Sequence, residues 1–383
     1  MNEYSPIAGM SETMTAWRRE LHRHPELAFE ENWTAGFVAE RLREFGLDPV
    51  TGIGGTGVVA VVDSGKPGLS IALRADMDAL PMDDESGRDY ASITSGVAHA
   101  CGHDGHTAAL LGTAKHLAAN PPASGRVVMI FQPAEENGKG SKAMIADGLL
   151  ETFAFDEVYG FHNMPLLQPG QAGVRAGAVL NGYIVWQIDV TGTGGHGAAF
   201  YKAVDPLQAA ARLAVEISSI VGRYVDPKEA ALINVGSLQA GTNHNIIAET
   251  AQLSGTLRAV KPEVVALLFE RLEKACEGIA AMTGCEIVCE KLAEVPPCVN
   301  DAGAAEHASR AAAKVVGDGG IVGDHQAYPF TDDMALLLQS APGAYMFLGQ
   351  DSPMCHNPEY DFDDNLLPVA VGIFTQLVKD RLG

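Results

Sequence analysis

Val127-Val-Met-Ile-Phe-Gln-Pro-Ala-Glu-Glu136 is an apolar, β-branched run that ends abruptly in two adjacent carboxylates. Such a run, with no polar residue before Gln132, suits a short buried strand inside an α/β sheet. Pro133 cannot donate to a ladder and so marks where the strand stops. Glu135 and Glu136 then fall just beyond the carboxyl end of a strand, where open α/β sheets place their sites.

The same texture recurs on both sides. Residues 57–63 and 69–74 read as buried strands around the turn Ser64-Gly-Lys-Pro-Gly68, and the second runs into Asp76 and Asp78. Residues 157–161 form a strand leading into His162-Asn163, and residues 344–349 form one whose following loop carries His356. Two helices are expected within residues 11–46, broken at His24-Pro25 and stopped by Gly46. An Ala/Leu-rich helix is expected over 107–119 and a closing helix over 367–382. Strands alternating with helices predict an α/β domain, with polar residues gathered at four strand ends.

From about Tyr183 the pattern changes. Amphipathic strands over 183–190, 231–238 and 250–258, with helices over 205–221 and 262–282, predict a smaller α+β layer with a two-helix face. The first texture returns near Val295. Residues 1–182 and 295–383 are therefore expected to form one domain, with 183–294 inserted in it.

His99-Ala-Cys-Gly-His-Asp-Gly-His106 supplies thiolate and imidazole donors in a turn that Gly102 and Gly105 allow to be sharp. Taken alone it also reads as a buried Cys, a core His and a surface His. Cys101, His103, Glu136, His162 and His356 together offer five donors of sulfur, nitrogen and oxygen type, which suit two divalent ions better than one. Glu135 and Glu136 point in different directions in a loop, so one can bind an ion while the other handles protons. Alone, the pair reads as a solvated acidic patch. Asp78 is the better candidate, over Asp76, to orient a ligating His. In the inserted segment, His196 lies between glycines and has the chemistry to stabilise an oxyanion, and Asn245 or Arg258 that to hold a carboxylate. Turn chemistry explains the same Gly, Asn and Thr clusters equally well.

Composition narrows the function classes. With 48 acidic and 26 basic residues the formal charge is −22, which repels phosphate backbones and anionic lipid. No nucleic-acid or membrane role is expected. No segment resembles a secretory leader or a spanning helix, and six cysteines are too sparse for a disulfide framework, so a cytoplasmic protein is expected. Cys285-Glu-Ile-Val-Cys289 alternates like a strand, against a second metal cluster with Cys298.

Assembled in order, these segments resemble the dinuclear metallo-amidohydrolase family of aminoacylases, hippurate hydrolases and indoleacetyl-amino-acid hydrolases. The resemblance spans nearly the whole chain. It rests on Arg19-Glu-Leu-His-Arg-His-Pro-Glu-Leu, Leu73-Arg-Ala-Asp-Met-Asp-Ala-Leu-Pro, the His99–His106 octamer, Phe131-Gln-Pro-Ala-Glu-Glu, Gly160-Phe-His-Asn and His356-Asn-Pro-Glu-Tyr-Asp-Phe. It implies a zinc-peptidase-like α/β catalytic domain with an inserted α+β dimerisation or lid domain. It also implies Cys101, His103, Glu136, His162 and His356 as ligands of two ions, zinc or manganese, with cobalt or nickel as further candidates. Glu135 would be the general base and acid, and Asp78 would support a ligand. His196 would reach a neighbouring site in a homodimer or higher homo-oligomer.

Two departures bear on substrate. Phe200 and Tyr201 occupy the place where the family commonly has a Pro after the small-domain His, and Asp332-Asp333 stands for the family's Glu-Asp pair. The expected reaction is hydrolysis of N-acyl amino acids, hippurate-like or with acetyl or aryl-acyl groups. A dipeptidase, a carboxypeptidase or a biosynthetic deacylase would share the mechanism. A binding homologue without turnover is a reading of another class, opposed by the retention of Glu135 with a full donor set.

Overall fold

Eight strands form one mixed sheet, in the spatial order Val50–Ile53, Gly57–Asp63, Arg126–Gln132, Ser70–Asp76, Glu157–Met164, Gly343–Gly349, Ala172–Gly173 and Ile321–Val322. The structure is a computed structural model and describes Ile7 and residues 9–383. Residues 1–6 and 8, at the start of the expected first segment, lie outside the described residues. The four central strands run parallel. They are the four whose ends carry the polar groups. Every residue of Ser70–Asp76 and of Gly343–Gly349 is buried, as a parallel sheet covered on both faces requires.

Helix His103–Ala119 packs on this sheet and against Ser11–Arg23 and Leu366–Leu382. It is apolar on nearly every side and correspondingly buried. Gly112 is needed at that crossing, because a Cβ there would come within 2.4 Å of Met14 Sδ.

Three element ends differ from expectation. The strand Ser70–Asp76 includes Asp76, and Glu157–Met164 continues through His162 and Asn163, where Phe347 and Leu348 extend the ladder beside them. The octamer helix starts at His103, four residues early. Gly102, at φ +100, turns the chain directly into it.

The chain divides into two compact units. The larger takes residues through Val179 with Val299–Gln326 and Asp332–Gly383; the smaller takes Leu180–Cys298 with Ala327–Thr331. In the smaller unit an antiparallel sheet runs in the order Ala231–Ala240, Thr250–Ala259, Gly182–Thr191, Glu286–Val295. Alternate residues Ile184, Trp186, Ile188 and Val190 face helices Pro206–Tyr224 and Pro262–Thr283 and form a separate core with Leu213, Ile217, Leu268 and Leu272. Asp205 starts the first of those helices by accepting from the backbone of Leu207 and Gln208, with Pro206 in the first turn.

Candidate metal centre

The ends of the four central strands deliver their polar groups to a single place. Asp78 follows the strand ending at Asp76, and Glu135 and Glu136 follow Arg126–Gln132. His162 lies two residues before the end of its strand, and His356 follows Gly343–Gly349. The octamer adds Cys101 and His103. Among the described residues only Phe29, Ala134 and His356 hold positive φ without being glycine. Two of the three are therefore in this site, where local strain aims a side chain. Ala134 is held by its own N–H, which donates to Glu31 at 2.8 Å, and His356 by its N–H, which donates to the Ala100 carbonyl at 2.7 Å.

Cys101 Sγ lies 3.4 Å from His162 Nε2, and His356 Nε2 lies 3.4 Å from a Glu136 oxygen. His103 Nε2 is 3.9 Å from both Glu135 and Glu136. The donor atoms of Cys101, His103 and His162 all lie within 4.8 Å of one another, as do those of Cys101, Glu136 and His356. The two triads share the sulfur. His103 Nε2 and Glu136 Oε1 are buried without a hydrogen-bond partner, which is costly unless something else engages them. Mixed sulfur, nitrogen and oxygen donors with such orphaned atoms fit divalent metal ions.

Supporting contacts set the tautomers. His103 Nδ1 donates to the Asp78 carbonyl at 2.9 Å and lies 3.2 Å from its carboxylate, while His162 Nδ1 donates to the Asn163 carbonyl at 2.7 Å. Each ring is thereby left with Nε2 facing the centre. The other Asp78 oxygen accepts from the Glu136 N–H at 2.9 Å, so one carboxylate braces two donors. Burial, with the negative charges of Asp332 and Glu136 beside it, pushes the Glu135 carboxyl well above the usual carboxylate range. Glu136 goes the other way. Burial opposes its charge, but the hydrogen bond to His356 and the nearby His103 outweigh it and lower its pKa.

Sequence reasoning missed the layer beneath. Arg74 donates to Asp76 at 2.7 Å and pairs with Asp332 and Asp333 at 3.2 Å, all nearly or fully buried. Asp333 also accepts from Gln132 at 2.6 Å and from the Ser141 N–H at 2.8 Å. Asp76 is thus engaged as well, since its other oxygen holds His106 Nδ1 at 2.6 Å while His106 Nε2 meets Asn163 at 2.7 Å. Polar residues closing otherwise apolar strands, Arg74 and Gln132, were the available signal. A second buried network takes up His22 of the first motif. His22 Nδ1 lies 2.8 Å from Asp104, next to His103, and its Nε2 lies 3.2 Å from Asp84. Burial alone would drive a proton off His22, but those two hydrogen bonds prevail and push its pKa up to about 9.

The remaining candidates belong to the smaller unit. Exposed His196 sits in a two-residue ladder opposite Ile246, and its Nδ1 accepts from the Ala198 N–H at 3.1 Å. Asn245 is its neighbour, accepting from the Gly197 N–H at 2.8 Å. Arg258 lies instead on the main sheet of that unit, 5.8 Å over the Tyr183 ring. Phe200 and Tyr201, just after His196, are 69% and 73% exposed.

Adjacent carboxylates beside a mixed donor cluster, at the strand ends of a parallel sheet, define a metallohydrolase of amides or peptides. Residues 72–380 match the model of peptidase family M20/M25/M40, and the chain belongs to that family. It is 39% identical over 383 residues to the hippurate hydrolase of Campylobacter jejuni, covering 100% of both chains. It is 34% identical to the N-acetyl-L-cysteine deacetylase of Bacillus subtilis, over 94% of this chain and 86% of that one. A solved Bacillus subtilis structure, described as a dinuclear metal-binding peptidase of the M20 family, is 31% identical with a TM-score of 0.85, covering 98% of this chain and 99% of that one.

Proposed function

We propose that the chain hydrolyses the amide bond of N-acyl amino acids, using two divalent ions held by Cys101, His103, Glu136, His162 and His356. The observation that carries this reading is the unequal treatment of two adjacent carboxylates. Glu136 is braced by Asp78 and drawn to His356. Glu135 reaches the same centre but sits beside Asp332, in surroundings that help its carboxyl take up a proton. Ions held by these residues would supply Lewis acidity toward the amide carbonyl and a water. Glu135 accepts the proton of that water and delivers it to the amide nitrogen as the C–N bond breaks. The products are a carboxylate and an amine.

Zinc or manganese suits the donor set, with cobalt or nickel as substitutes. The names of two relatives, a hippurate hydrolase and an N-acetyl-L-cysteine deacetylase, both point to acylated amino acids as substrates. His196, whose Nδ1 is occupied by a backbone N–H, is left with Nε2 to donate to the oxyanion, and Asn245 or Arg258 holds the substrate carboxylate. In this reading the protein is a homodimer, and His196 serves the partner's site. Among the described residues no helix is long and apolar enough to cross a membrane, and all six cysteines are free, which supports a cytoplasmic setting.

Metal-reconstituted protein, offered N-benzoylglycine, N-acetyl amino acids and dipeptides, tests the reading. Release of amino acid from the acyl conjugates is expected. Cleavage of dipeptides alone would move the assignment to a peptidase, and no release from any of them would leave a binding protein.

A further inference from the structure

We propose that Cys101 and Cys355 form an oxidisable pair, which a peroxide joins into a disulfide that withdraws Cys101 from the metal centre. The inference rests on the ligand role proposed above for Cys101, while Cys355 has no place in that role. Among the described residues, the donor groups at the centre do not include Cys355.

The fold brings Cys355 against Cys101. The Cys355 thiol donates to the Cys101 carbonyl oxygen at 3.7 Å. Their backbones are tied in register by the bond from the His356 N–H to the Ala100 carbonyl. Cys355 is also aimed from below. Asn163 Nδ2 donates to its sulfur at 3.5 Å, Asn163 Oδ1 is fixed by His106, and His106 is fixed by Asp76. A disulfide, with its S–S bond of roughly 2.05 Å, would join two segments already in contact through the Cys101 carbonyl and the backbone of His356. Cys355 is half-buried and Cys101 is 8% exposed, so a small oxidant has access while a bulky thiol reagent is hindered.

The chemistry balances with hydrogen peroxide as oxidant. One sulfur attacks the O–O bond, giving a sulfenic acid and a water. The second sulfur displaces the hydroxyl, forming the S–S bond and releasing another water. The two sulfurs lose two electrons in total, and the peroxide gains them. A small dithiol reverses the process by exchange. Because Cys101 belongs to both donor triads, its loss leaves neither intact.

The test treats the full-length metal-loaded chain, and the same chain stripped of metal, with hydrogen peroxide. Intact mass, peptide mapping after alkylation, and metal content are then read. Expected is the loss of two of the six thiols, a mass lower by two hydrogens, a peptide linking Cys101 to Cys355, release of metal from the loaded chain, and recovery of both with dithiothreitol. Cys355→Ser and Cys355→Ala should bind metal as the wild type does. Neither should yield the cross-link, and peroxide should instead add oxygen to their Cys101. Cys276 and Cys289, which both pack in the core of the smaller unit, provide an internal comparison. A cross-link only there, or wild-type Cys101 carrying added oxygen while Cys355 stays free, overturns the proposal. Metal content of Cys101→Ser separates the two ideas: full metal content in that variant removes the ligand role, whereas a missing cross-link in wild type removes the pair.

Discussion

Asp78→Asn isolates the support beneath the proposed metal ligands from the ligands themselves. In the wild type one carboxylate oxygen accepts from the Glu136 N–H at 2.9 Å and the other lies 3.2 Å from His103 Nδ1. An asparagine keeps a single side-chain oxygen. If that oxygen stays on Glu136, an NH2 group faces the His103 N–H; if it turns, the Glu136 N–H loses its acceptor. One buried donor is therefore weakened in either orientation, at about 1–3 kcal/mol. The residue 78 carbonyl, 2.9 Å from His103 Nδ1, still holds the ring and keeps the loss toward the low end when the amide turns to His103. At about 1.4 kcal/mol per tenfold, the expected weakening of metal binding is roughly 10–100-fold, the usual range for groups that orient ligands. Metal titration against a competing chelator measures it, with far-ultraviolet circular dichroism as the check on folding. At saturating metal KM should change little. Wild-type metal affinity in a folded Asp78→Asn chain would refute the reasoning, because it would mean that neither donor depends on this carboxylate.

Glu135→Gln should retain both ions yet lose about two to four orders of magnitude in kcat, whereas Glu136→Gln should lose metal; elemental analysis beside steady-state kinetics would expose an exchange of these phenotypes. His196→Ala should lower kcat by about two to three orders of magnitude at unchanged metal content, and mixing it with Glu135→Gln should restore about a quarter of wild-type activity, unless His196 serves its own chain. The His22 ring has its pKa raised from 6.5 to about 9 in the folded chain, so its stabilisation is full below about pH 6.5 and is lost as pH rises through about 9. Denaturant titrations across that window should show a loss of about 3 kcal/mol in wild type that shrinks in His22→Asn; an identical slope in both would discard the His22 network as its source.

The central strands and their polar ends were legible because buried parallel strands are written as uninterrupted apolar runs; Glu135, Glu136 and His162 stand close to where a run gives out, and His356 lies in the loop after another. The inward faces of the smaller unit were legible for a related reason: alternation over Tyr183–Val190 is repeated in its buried residues. The choice between Asp76 and Asp78 was a different matter. Both side chains are buried and both are engaged, one by its strand neighbour Arg74 and by His106, the other by His103 and Glu136, and all of these but Arg74 come from other segments of the chain. Local pattern has no access to such pairings. Ala327–Thr331, which joins the smaller unit from far along the chain, carries no periodicity that could announce it. Helix His103–Ala119 began earlier than its apolar texture because a left-handed glycine, not hydrophobic spacing, starts it.

The position of Gly343–Gly349 in the sheet has a consequence for how the molecule is made. That strand is the last of the sheet in chain order, yet it lies between Glu157–Met164 and Ala172–Gly173, well inside the sheet. During synthesis, which proceeds from the N-terminus at about 5–20 residues per second, the edge of Glu157–Met164 stays unpaired until nearly the whole chain has emerged. The smaller unit, with its own core, has all of Leu180–Cys298 available well before then. An open apolar edge of this kind invites pairing with other chains, so the nascent protein depends on shielding during that interval. His356 arrives only after the late strand. Metal capture by the proposed donor set would therefore be among the last events of folding, and a ribosome-stalled chain that ends before Gly343 should bind ions weakly and aggregate readily.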